Sequence, residues 1–244
     1  MFSFSLDLLG IFLIAKKQEG MGKRMLKFLF LSDYWKTIIY TIPAILISIS
    51  AHEFAHGYVS YKLGDPTPKK EGRLTLNPFA HMDIAGTICM FVFRMGWAKP
   101  VGINPYYYKD RKKGIIAVSL AGPCMNYLLA FLSMILCGVF YKANNDICVW
   151  FYYIAVLNVG LGTFNLIPMP PLDGSKVLGE LFSGVQNFYY RIRPYSTLIL
   201  IVLLTTGIIR EPINLIENGL LNGMWKIVCN ILNISVYGGS GIYL

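Results

Sequence analysis

Thr37 to Tyr61 reads TIIYTIPAILISISAHEFAHGYVSY, with Glu53 its only formal charge. A helix of about 20 predominantly apolar residues crosses the hydrocarbon core of a bilayer, and this run meets that length. Inside it lies an H-E-x-x-H motif, His52-Glu53-Phe54-Ala55-His56. Histidines at i and i+4 share one helix face, where two imidazoles converge on one Zn²⁺, with the glutamate beside them as general base. Ionisable side chains within a spanning helix are costly unless paired or turned to a polar cavity, so three of them together point to function rather than to chance. His52 stands ten residues before Lys62, about 15 Å along the helix, which puts the metal inside the membrane near that exit. Gly64-Asp65-Pro66 then supplies the stop and turn.

Two further runs resemble the first in length: Gly114 to Tyr141 and Ile147 to Leu172 contain no formal charge. Pro194 to Ile209 is a marginal fourth. With 55% hydrophobic and 14% charged residues in 244, the chain is too apolar for a soluble domain. The reading is an all-α polytopic membrane protein lying in the lipid bilayer, with three transmembrane helices and a marginal fourth. The net charge of +9 is assigned to membrane topology and head-group contact, not to nucleic acid. Cys89, Cys124, Cys137, Cys148 and Cys229 show no C-x-x-C pair and read as small core residues. Met1 to Ala15 carries Asp7 and lacks a basic start, which suits an interfacial segment better than a secretory leader.

Three divisions follow: an N-terminal interfacial or partly inserted segment (1–36), an intramembrane catalytic domain (37–213) and a membrane-associated tail (214–244). Between Asp65 and Lys113 the pattern breaks into turns and short alternating pieces. Arg73 to Leu76 and Lys99 to Ile103 are expected as two short strands of a small β-hairpin, the second at an edge because of Pro100. Ile84 to Phe93, only ten residues before Arg94, reads as re-entrant rather than crossing. The first helix then leaves, and the second enters, on one side, and that side collects most Lys and Arg. The positive-inside rule makes it cytoplasmic. The basic residues of Lys16 to Lys36 conflict with this unless the N-terminal segment also dips into the bilayer.

Catalytic zinc takes three protein ligands and keeps a position for water. The third is sought among His81, Asp83 and Asp173. Asp173 follows Asn165-Leu166-Ile167-Pro168-Met169-Pro170-Pro171-Leu172, where three prolines forbid regular helix, and broken helix at membrane depth is tolerated where it lines a polar cavity. Helix parity puts it on the side of His56. The bland alternative for Asp173 is an N-cap. Asn126 and Asn165 are amides in apolar helices, placed to donate to a peptide oxyanion or hold an unwound substrate; interhelical hydrogen bonding serves equally well. Thr75, in the first expected strand, is a candidate for main-chain pairing with substrate.

Taken in order, HEFAHGYVSYKLGDPTPKKEGRLTLNPFAHMD, GWAKPVGINP, AGPCMN and FNLIPMPPLDG resemble the site-2 protease family of intramembrane metalloproteases in its compact prokaryotic form. The resemblance spans about Pro43 to Gly174. It implies a core of three transmembrane helices around one Zn²⁺ per chain on His52, His56 and Asp173, Glu53 as catalytic carboxylate, and cleavage of transmembrane protein substrates in regulated proteolysis. Where the family favours proline after Asp83, this chain has Ile84. A zinc-binding transporter or an inactive scaffold is the alternative class. A transporter spreads ionisable groups along a path, whereas these cluster at one depth, and metal binding alone does not require Glu53.

Overall fold

The computed structural model describes residues 2–3, 34–83, 86, 95–96 and 99–234. The first long helix, α1 (Tyr34–Lys62), ends at Gly64, whose φ of 103° only glycine adopts without strain. Two single-turn helices follow, α2 (Thr67–Lys70) and α3 (Pro78–His81), both packed on α1. After a 3₁₀ turn at Pro105–Tyr107 comes α4 (Arg111–Lys142), started by Asp110, whose carboxylate accepts from the Lys113 amide at 3.0 Å. α5 (Ile147–Asn165) runs back antiparallel and stops before Pro168. The rest is α6 (Asp173–Leu181), α7 (Ser183–Ile192), α8 (Ser196–Thr205) and α9 (Arg210–Leu232).

Among the described residues α4 and α5 are long and apolar enough to cross a membrane. The helices of Ser183–Thr205 and Arg210–Leu232 reach that standard only jointly and are bent by 76° at the break. The marginal run from Pro194 to Ile209 is not one unbroken helix: α8 has ten residues, about 15 Å of rise, and meets the length of a span only with its flanking helices. α4 is central, packing on α1, α5, α6 and α9. Met134, Val149, Leu221 and Val228 fill the seam of α4, α5 and α9, and Cys137, Cys148 and Cys229 sit there as small buried residues. Ala44 and Ile45 of α1 meet Ile154 and Leu157 of α5. α9 runs across the expected boundary between 213 and 214.

The expected strands are not found. Arg73 to Leu76 and Lys99 to Ile103 are both loop, and the strand pairing among the described residues is a two-residue antiparallel ladder, β1 (Phe2–Ser3) with β2 (Met95–Gly96). The physical reason is local. Arg73 folds its guanidinium back onto the Ala80 carbonyl, and His81 Nε2 bonds the Thr75 carbonyl at 2.8 Å, which closes that stretch on itself. In the second stretch the amides are taken by acceptors from elsewhere: Lys99 by the His81 carbonyl (2.9 Å), Val101 by Glu53 (2.9 Å), Gly102 by Glu71 (3.2 Å) and Asn104 by Asp65 (2.7 Å). An extended strap results, tied down through its peptide groups. Apart from Gly86, the segment Ile84 to Phe93 read as re-entrant lies outside the described residues, as does most of 1–36.

Candidate metal centre and active site

His52 and His56, one turn apart on α1, present their Nε2 atoms 2.9 Å from each other. Asp173 brings Oδ2 to 3.2 Å from His52 Nε2 and 3.0 Å from His56 Nε2. All three residues are buried. Of the three candidates for a third ligand only Asp173 joins the histidines. His81 is turned to Thr75, and Asp83 Oδ1 accepts from the Gly86 amide at 2.7 Å. The N-cap position of α6 is Leu172, and Asp173 is the first residue inside the helix; its second oxygen takes Lys176 Nζ at 2.8 Å. Gly174 fits hard against the Leu166 carbonyl, so a side chain there would push Asp173 away from the histidines.

The back of each imidazole fixes its front. His56 Nδ1 lies 2.6 Å from the Val118 carbonyl, which only accepts, so Nδ1 carries a proton and, in the neutral imidazole, Nε2 keeps a lone pair. His52 Nδ1 lies 2.5 Å from Asn126 Oδ1. With both imidazoles neutral, two lone pairs and a carboxylate oxygen face one another about 3 Å apart, an arrangement that calls for a cation between them. Tetrahedral zinc with bonds of about 2.0–2.1 Å sets its ligand atoms roughly 3.3 Å apart, so the donor set and spacing fit it. Gly122 of α4 closes the near side: a Cβ there would lie 2.5 Å from His56 Nε2 and 2.6 Å from His52 Nε2.

Glu53 is half-buried and outside the cluster, its Oε2 accepting from the Val101 amide at 2.9 Å. Asn126 lies behind His52 and is fully buried. Asn165 Nδ2 bonds the Leu161 carbonyl of its own helix at 2.9 Å, and the Thr75 hydroxyl accepts from the Asn77 amide at 3.1 Å. The Val118 carbonyl, the Val101 amide, Lys176 and Asn158 surround these residues and were passed over by the motif reading, while Gly122 entered it only within AGPCMN. Asn158 alone carried a usable signal, being a third amide in an apolar helix.

YwhC of Bacillus subtilis (strain 168), named "Putative zinc metalloprotease YwhC", is 37% identical to this chain over 176 residues, 68% of this chain and 80% of its own. The chain belongs to peptidase family M50. The profile of that family matches residues 141–206, which include Asp173. Rip2 of Mycolicibacterium smegmatis, named for the same class, is 30% identical over 183 residues, 71% of this chain and 70% of its own. "Protease RseP" of Photorhabdus luminescens is 30% identical over 83 residues, 30% of this chain and 35% of its own. No solved structure matches. These likenesses place the chain in the site-2 protease family as a zinc metalloprotease, and its apolar helices make it a membrane protein.

Proposed function

We propose that this M50 metalloprotease is an intramembrane endopeptidase. It hydrolyses peptide bonds within or near transmembrane segments of membrane proteins, in regulated proteolysis. α1, α4 and α5 cross the bilayer around one Zn²⁺ held by His52, His56 and Asp173, and the site faces the cytoplasmic side. The observation that carries the reading is the convergence of those three ligand atoms, all within 4.8 Å of one another, beside helices apolar enough to span.

Zinc, when bound, supplies Lewis-acid polarisation of the scissile carbonyl and acidifies a water. The protein does the rest. The Val118 carbonyl and Asn126 keep both Nε2 lone pairs inward, and Lys176 steadies the Asp173 carboxylate. Glu53 takes a proton from the attacking water and returns it to the leaving amine nitrogen, its second oxygen held by the Val101 amide. Asn126 is committed behind His52, which leaves Asn165, at the broken end of α5, as the amide that binds substrate backbone.

The test is cleavage of a single-span substrate in proteoliposomes with zinc, comparing wild type with Glu53→Gln. Wild type is expected to cut within or beside the span. Cutting confined to soluble peptides would overturn the intramembrane reading.

A further inference from the structure

Behind His52 a chain of polar groups crosses three helices. His52 Nδ1 meets Asn126 Oδ1 at 2.5 Å; Asn126 Nδ2 donates to Asn158 Oδ1 at 2.9 Å and, more weakly, to the Ser48 carbonyl at 3.4 Å. Asn158 Nδ2 donates to Ser48 Oγ at 2.8 Å and to the Ile154 carbonyl at 3.0 Å, and Ser48 Oγ donates to the Ala44 carbonyl at 2.6 Å. Asn126 and Asn158 have no exposed surface and Ser48 almost none, so no solvent can substitute for a missing partner.

The direction of this chain has an origin. An amide side chain has an oxygen end and a nitrogen end of nearly equal shape, and its neighbours decide which way it turns. The Ile154 carbonyl can only accept, so Asn158 must point its nitrogen there and its oxygen toward Asn126. Asn126 must then offer nitrogen to Asn158 and oxygen to His52. His52 must answer with a protonated Nδ1, which leaves Nε2 unprotonated toward His56 and Asp173. With Asn126 turned over, an N–H would face Nδ1, the proton would move to Nε2, and the metal face would lose a lone pair.

We propose that Asn158 is a positioning residue, setting the tautomer of His52 through the orientation of the Asn126 amide. The inference rests on zinc binding by His52, His56 and Asp173. Groups behind a metal-bound histidine typically change affinity by roughly 10- to 100-fold when removed, and that range is expected here.

The test uses the full chain in detergent, with zinc affinity read by competition against a chromogenic chelator and melting in chelator reporting the metal-free fold. Asn158→Leu, or Asn158→Ala should the leucine variant not fold, is expected to weaken zinc binding by roughly that factor. The deciding measurement repeats the substitution in an Asn126→Asp background. A carboxylate presents oxygen to His52 whichever way it turns, so there the loss on removing Asn158 should shrink to within about twofold. An equal loss in both backgrounds would show that Asn158 acts by packing, and unchanged affinity in the single variant would also overturn the proposal. Wild type that binds no zinc at all would instead defeat the metal-site reading beneath it.

Discussion

α4 approaches the two histidines closely because position 122 has no Cβ. Ala at that position strengthens an exposed helix by up to about 1 kcal/mol, yet here its methyl would enter the space between His52 and His56. Gly122→Ala is therefore expected to lower zinc affinity at least about tenfold without loss of helix content. Gly219→Ala on α9, where a Cβ meets nothing within 4 Å, should leave affinity unchanged. Equal effects of the two would detach Gly122 from the metal centre. Glu53→Gln should keep its zinc and lose about 10²- to 10⁴-fold in turnover, the usual worth of a general base, checked by metal analysis beside a cleavage assay. Asp173→Ala should lose zinc as well as activity, because a ligand is gone. His52, Glu53 and His56 were legible because their relation is local: one turn of one helix contains it. Gly122, Val118 and Asn158 enter the site through the packing of α4 and α5, which no spacing rule encodes.

At the level of elements the strap over residues 99–104 was misread as a strand. Alternation of apolar and polar residues is the right local pattern, but pairing requires free amides, and here they are occupied by Glu53, Glu71 and Asp65 from 31 to 48 residues away. Asp65 is the firmest anchor. It is fully buried and accepts from Ser60 Oγ (2.8 Å), the Thr67 amide (2.9 Å) and the Asn104 amide (2.7 Å). Burial alone would raise its pKa, but these hydrogen bonds outweigh it and hold the carboxyl below the usual range. A depressed folded pKa gives stability that is present above the ordinary carboxylate value and lost as pH falls through the folded one. Asp65→Ala is expected to destabilise the protein by about 1–3 kcal/mol at neutral pH. Asp65→Asn should melt with less dependence on pH in the acid range than wild type, and parallel melting curves would show that Asp65 contributes no such term.

For the whole molecule, the long helices α4 and α5 were readable from uninterrupted apolar sequence, while the 76° break before α9 was not, since it depends on how α9 settles against α4 and α5. Reporters fused after Asp65 and after Lys113 should report the same side of the membrane; opposite sides would mean that Ile84 to Phe93 crosses. One dimension of α4 reaches further. Its uncharged run from Gly114 to Tyr141 rises about 42 Å, against a hydrocarbon core of about 30 Å, and it carries Gly122 against the histidines. A helix longer than its bilayer tilts, and it tilts more as the bilayer thins. Lipid chain length then becomes a variable of catalysis. In vesicles of increasing acyl length, turnover should pass through a maximum while zinc content stays constant, and a flat profile would mean that α4 holds its angle regardless of the lipid around it.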